Sequence, residues 1–278
     1  MDAHPYGSPY AHPYRSPSEG ERGQEGEVMD IAWLRRFGGV GQKEPEGGVR
    51  LVCFPHAGGA ATSYVQLSRL LSPAVDVLAV QYPGRQDRHR ERPVESVTRL
   101  AELVADALGT ADGRPYAFFG HSMGAAVAYE TARTLAARSA PGPLRLFLSG
   151  RAAPEPKPQA ADRMTSDADV IAAIRMLGGT GVGVLDDPEL MEMALPALRA
   201  DYRAIGSYAW EPGPPLDCPI TALVGDEDPV APVDKVAAWS GFTAADTDLK
   251  VFPGGHFYLD GITEEIGDVI TAALGVRV

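Results

Sequence analysis

Residues 116–130 read "YAFFGHSMGAAVAYE". Four apolar or aromatic residues, Tyr116 to Phe119, run straight into Gly-His-Ser-Met-Gly, and an apolar pattern then resumes at helical spacing. This order describes a short buried strand that turns sharply into a helix, with one serine bracketed by Gly120 and Gly124 at the changeover. Such a turn forces the serine into unusual backbone angles, and the glycines remove side chains that would collide there. The Ser122 hydroxyl is then exposed at the carboxyl edge of a sheet and at a helix N-terminus, whose partial positive charge favours a developing anion. Gly-x-Ser-x-Gly is a weak signal by itself; the strand before it and the helix after it give it weight.

Outward from this stretch the chain alternates short apolar strands with helices. "VRLVCF" (49–54), "VDVLAVQY" (75–82), "LRLFLSG" (144–150), "ITALVG" (220–225) and "LKVFPG" (249–254) read as strands. Between and after them, "ATSYVQLSRLL" (61–71), "VESVTRLAELVADALG" (94–109), a helix from Met123 to about Arg138, one near "VDKVAAWSG" (233–241) and a last one from about Ile262 read as helices. Continuous apolar strands alternating with helices predict an α/β fold, a mainly parallel sheet with helices on both faces. Residues 151–215 break the rhythm: "APEPKPQA" leads into "DADVIAAIRMLGG" and "DPELMEMALPALRADYRAI", where Pro196 should kink or end a helix. This interval reads as an inserted helical lid on a core formed by 29–150 and 216–278. Residues 1–28, with their His/Ser-Pro-Tyr repeats followed by "SEGERGQEGE", read as a disordered tail.

Composition narrows the partners. The 278 residues carry a net charge of -12, which argues against nucleic acid and anionic membranes. No apolar run approaches the length of a membrane span, and the N-terminus lacks the basic-then-apolar order of a signal peptide. The two cysteines, Cys53 and Cys218, read as small core residues, which excludes a disulfide scaffold and suits a reduced cytoplasm. There is no metal-spaced cluster of ligands and no dinucleotide fingerprint, so neither a metal nor an organic cofactor is expected.

A serine is a weak nucleophile unless a base, itself oriented by a third group, takes its proton. With a strand-turn-helix serine the partners follow in the order acid, then histidine. "VGDEDPVAP" (224–232) supplies carboxylates just past a strand end. Asp228 is the first choice because it has left the strand and can reach across to the base, with Asp226 and Glu227 as alternatives. "FPGGHFYL" (252–259) supplies His256 after the last strand, where two glycines suit a sharp loop. His4 and His12 fall in the tail, His89 in an arginine-rich loop and His121 inside the turn. Two backbone N–H groups should hold the oxyanion: that of Met123, next to the nucleophile, and that of Ala57 in the small-residue loop "FPHAGGA" (54–60), where His56 reads as a support.

The segments "FPHAGG", "YPGRQDR", "GHSMGA", "SGRAAP", "GDEDP" and "GGHF" occur here in the order and spacing of type II thioesterases. The chain resembles these α/β-hydrolases, which accompany polyketide and nonribosomal peptide synthases, over residues 30–275, including the "AWLRRF" opening; the tail stands outside the pattern. The resemblance implies hydrolysis of acyl thioesters from the phosphopantetheine arm of an acyl or peptidyl carrier protein. It implies the roles already read for Ser122, Asp228, His256, Met123 and Ala57. The loop "PGRQDRHRER" (83–92) carries four arginines. Arg85 and Arg88 are candidates for the arm's phosphate or an acidic carrier, the alternative being a solvated loop that pairs with its own acids. Met176, Leu177, Leu190, Met191 and Met193 are candidates for the walls of an acyl chamber, the alternative being plain core. A general carboxylesterase or acyl-CoA thioesterase would use the same serine; an idle binding protein on this fold would have no need of a complete set.

Overall fold

The computed structural model describes residues 32–37, 48–109, 114–164, 166–178, 185 and 187–277. The expected tail and the first residues of the expected core lie outside these residues, as does most of the glycine-rich stretch after Gly178.

Seven strands form one sheet: β1 (Leu34–Arg36), β2 (Val49–Phe54), β3 (Val75–Val80), β4 (Tyr116–His121), β5 (Leu146–Ser149), β6 (Ile220–Gly225) and β7 (Thr247–Phe252), in the spatial order β1-β3-β2-β4-β5-β6-β7. Every neighbouring pair is parallel except β1 with β3. The helices are α1 (Val65–Leu71), α2 (Val97–Leu108), α3 (Met123–Ala137), α4 (Asp167–Leu177), α5 (Pro188–Gly206), α6 (Val233–Ala237) and α7 (Thr263–Leu274). Strand residues alternate between two cores because successive side chains point to opposite faces. In β2, Leu51 and Cys53 join α1 and α7 on one side, while Val52 and Phe54 join α2, α3 and α6 on the other. Burial on both faces is why these strands read as unbroken apolar runs. No helix among the described residues is long and apolar enough to cross a membrane.

At three points the structure adds to the sequence reading. The opening segment contributes an antiparallel edge strand, β1, whose Arg36 makes a two-pronged ion pair with the buried Asp76 of β3, at 2.8 and 2.7 Å. Three residues are too few to show a strand period, so sequence reading passed over it. Secondly, Pro196 does not end a helix: α5 runs through it for 19 residues. Thirdly, the helical run at 61–71 begins as a 3-10 turn, Ala61–Tyr64, before α1.

Among the described residues, α4 and α5 lie between β5 and β6 in sequence. Local chemistry starts each of them: Ser166 and Asp169 form a capping box on α4, and Asp187 caps α5 with Pro188 at its first position. What ties α5 to the core is a buried ion pair. Asp201, 1% exposed, accepts from both terminal nitrogens of Arg85 at 2.7 and 2.8 Å and from the Gly58 N–H at 2.7 Å. Arg85 also donates to the Gly59 carbonyl at 2.9 Å. Leu198, one helical turn before, packs on Gly58 so closely that a Cβ there would lie 2.4 Å from its Cδ2.

Removing one member of a buried pair leaves the other charge uncompensated, which costs about 3–5 kcal/mol. Asp201→Ala should therefore lower the thermal midpoint by roughly 10 °C, given about 2–4 °C per kcal/mol for a chain of this size. A calorimetric or fluorescence melt of the purified variant checks it; a midpoint within a degree of the parent would show that the pair does not hold the lid.

Candidate active site

Ser122 joins β4 to α3 with φ 55° and ψ -120°, a conformation that L-residues rarely adopt. Its neighbours explain how the turn is held. A Cβ on Gly120 would lie 2.3 Å from the Gly124 carbonyl oxygen, and one on Gly124 would lie 2.0 Å from the Phe54 carbonyl oxygen. Backbone packs directly on backbone here, and the Ser122 N–H is fixed by the Ser149 carbonyl at 2.8 Å.

The turn aims Ser122 Oγ at His256 Nε2, 2.9 Å away, and His256 Nδ1 lies 2.8 Å from Asp228 Oδ2. With Nδ1 donating to the carboxylate, Nε2 is left to accept the serine proton. Asp228 is oriented in turn, since its other oxygen accepts the N–H groups of Val230 at 3.0 Å and Ala231 at 3.1 Å. His256 and Asp228 are 1% and 6% exposed. The alternatives to Asp228 stand elsewhere. Asp226 accepts the Gly254 N–H at 2.9 Å, and the Glu227 N–H donates to the Gly254 carbonyl at 2.9 Å, so both hold the histidine loop from outside.

Met123 opens α3 and Ala57 follows β2, and both border one cavity with Ser122 and His256. Neither amide N–H has an acceptor among the described residues. His56 stands beside them with its ring edge-on to Phe257 at 4.9 Å. Burial, then the nearby His256 and Arg85, depress its pKa to about 4, so it is neutral at ordinary pH and acts as a wall.

The arginine expectation is overturned. Arg85 and Arg88 are both 8% exposed. Arg85 is consumed by Asp201, while Arg88 binds both Glu91 oxygens at 2.8 and 2.6 Å and the Gln81 carbonyl at 2.8 Å, with its guanidinium 4.4 Å over the Trp33 ring. A 3-10 turn at Gln86–Arg88 folds the loop back, which turns these two groups into the protein instead of toward a ligand. Arg90 and Arg92 remain exposed.

The chamber expectation divides. Met176 and Leu177 of α4 do border the cavity over Ser122. Leu190 and Met193 point outward, 48% and 72% exposed, and the half-buried Met191 borders neither this cavity nor its neighbour. The phase of α5 is set by Leu198, Asp201 and Ile205 packing inward, so Ala194, Leu198, Tyr202 and Ile205 face the cavities instead. That spacing of three and four is readable in the sequence. The cavity over Ser122 is about 50 Å³, and an adjoining one past Ala57, Leu177 and Tyr202 is about 80 Å³.

Comparison with known proteins identifies the family. The thioesterase domain family matches residues 49–274. Thioesterase PikA5 of Streptomyces venezuelae is 47% identical over 236 residues, covering 84% of this chain and 82% of that one. Among solved structures, the type II thioesterase BorB from the borrelidin biosynthetic cluster superposes with a TM-score of 0.79 at 42% identity, over 87% of this chain and 97% of that one. The thioesterase RedJ from the prodiginine pathway of Streptomyces coelicolor superposes with a TM-score of 0.74 at 42% identity, over 81% and 87%. The chain belongs to the thioesterase domain family, an α/β-hydrolase with type II thioesterases among its relatives.

Proposed function

We propose that this enzyme hydrolyses acyl thioesters carried on the phosphopantetheine arm of acyl or peptidyl carrier proteins, clearing unwanted acyl groups from a polyketide or nonribosomal peptide synthase. The observation that carries the reading is the continuous chain Ser122–His256–Asp228 opening onto a small cavity. Relatives named for the borrelidin and prodiginine pathways support the biosynthetic setting.

In the first step His256 Nε2 takes the Ser122 proton as Oγ attacks the thioester carbonyl. The N–H groups of Ala57 and Met123 receive the oxyanion, with the dipole of α3 behind Met123. The carbon–sulfur bond breaks, the thiol leaves with the proton held by His256, and an acyl-serine remains. Water then gives its proton to His256 and attacks the ester, and Ser122 recovers the proton as the acid departs. A thiolate is a good leaving group, so this chemistry asks little of the acid step. Asp228 holds the required tautomer throughout. A carrier protein is too large for a cavity of this size, so only its flexible arm reaches Ser122.

Ser122→Ala should abolish turnover without loss of fold, since the hydroxyl does no packing. Asp228→Asn should lower kcat by about 10³–10⁴-fold by favouring the wrong tautomer, whereas Asp226→Asn should cost no more than about tenfold. Steady-state kinetics on one acyl-carrier substrate decides the assignment; a crippled Asp226→Asn beside an active Asp228→Asn would reverse it. Comparing the same acyl group on a carrier, on coenzyme A and in an oxygen ester tests the substrate class, with kcat/KM highest for the carrier. Equal values across the three would mark a general esterase.

The cavity walls give a separate expectation. Leu177→Trp should reduce turnover of long acyl groups more than short ones, because the ring would fill the space between the two cavities. Equal losses at both chain lengths on the same carrier would return Leu177 to a purely structural part.

A further inference from the structure

His256 must meet Asp228 with one ring nitrogen and Ser122 with the other, yet it follows Gly254 and Gly255 on a loop. Gly254 is tied down by Asp226 and Glu227. Those contacts hold the approach to the histidine and leave its far side to other groups. We infer that His121, Ser149 and Tyr258 form a buried hydrogen-bonded positioning chain that fixes His256 relative to Ser122.

The chain is short and buried. Tyr258 Oη lies 2.7 Å from Ser149 Oγ, and Ser149 Oγ lies 2.9 Å from His121 Nδ1. The three residues are 6%, 0% and 1% exposed, so water does not compete for these bonds. Each stands at a strategic point. His121 ends β4 and directly precedes the nucleophile. Ser149 ends β5, is in register with His121, and its carbonyl accepts the Ser122 N–H at 2.8 Å. Tyr258 is two residues beyond the base. The links therefore run from the residue before the nucleophile to the residues after the base. The His121 ring also packs against His256, Phe257 and Tyr258, with centroid distances of 5.0, 5.5 and 6.3 Å.

A plain packing role does not account for an imidazole here. His121 Nε2 is buried without a partner among the described residues, which is unfavourable, and an apolar ring would fill the space without that penalty. What the imidazole adds is the Nδ1 bond to Ser149. The end of β5 is shaped for it: at Gly150, with φ 58°, a Cβ would lie 2.5 Å from His121 Cε1. Burial, with the neighbouring His256 and His56, holds the His121 pKa well below its ordinary value. The ring thus supplies orientation and no charge beside the imidazolium that forms on His256.

This inference rests on the Ser122–His256–Asp228 reading, and the test separates the two. Tyr258→Phe removes one oxygen and keeps the ring stacked on Phe252. Tyr258→Phe, Ser149→Ala and the double variant are assayed on an acyl-carrier thioester for kcat and KM, beside their melting midpoints and a Ser122→Ala control. The proton NMR signal of the His256 Nδ1–H is followed in each. Each single variant should lose about tenfold in kcat with KM nearly unchanged, since small misplacement of a reacting group costs up to about a hundredfold. The double variant should be no worse than the worse single one, because both break the same chain, and the Nδ1–H signal should shift or broaden. Full activity in Tyr258→Phe, losses that multiply in the double variant, or a loss matched by a fall in folded fraction would overturn the inference. Should Ser149→Ala fail to fold, Tyr258→Phe with its kcat and NMR signal still decides. An active Ser122→Ala would instead overturn the triad reading itself.

Discussion

Backbone contact without an intervening side chain at Gly124 is the constraint on which the site depends. The first turn of α3 rests against the Phe54 carbonyl, at the point where β2 passes into the loop bearing Ala57. Any Cβ at 124 would push these two segments apart. Their closeness brings Met123 and Ala57 to one cavity with Ser122, and it holds the serine at a positive φ that an isolated chain would abandon. Strain at the nucleophile is thus sustained by the packing of three segments, the ends of β2 and β4 and the start of α3.

Sequence reading succeeded where geometry is local or is set by strand ends. The elbow lies within five consecutive residues, so its glycines and flanking periods announce it. His256 and Asp228 follow the carboxyl ends of adjacent parallel strands, β7 and β6, which places them at the same edge of the sheet as Ser122. The distinction between Asp226 and Asp228 was legible for the same reason. Asp226 directly follows the strand and satisfies the adjacent loop, whereas Asp228 has turned far enough to reach the histidine.

Reading failed where the partner is remote. Arg85 looks like an exposed cation in a polar loop because Asp201, which buries it, comes 116 residues later on α5. No local pattern signals that pairing. Met193 fails for a different reason: residue type suggested an adaptable wall, while the rotation of α5 depends on which of its residues meet the Gly58 loop. His121 was passed over because its partners, Ser149 and Tyr258, become neighbours only when β5 and the histidine loop are in place.

The Arg85–Asp201 pair also limits how the active site can enlarge. The second half of α5 is buried through Ala197, Leu198, Ala200, Asp201, Ala204 and Ile205, and Asp201 accepts the N–H of Gly58, next to Ala57. Lifting that half would strip a buried arginine of its counter-ion and release the loop that carries Ala57 beside Ser122. The first half of α5, up to Pro196, carries the exposed Leu190 and Met193, and α4 presents the exposed Met176. Few buried contacts hold these segments, and low local burial is what permits cheap local opening. Enlarging the cavity over Ser122 would therefore cost less through α4 and the first half of α5 than through the second half, which holds the Gly58 loop in place.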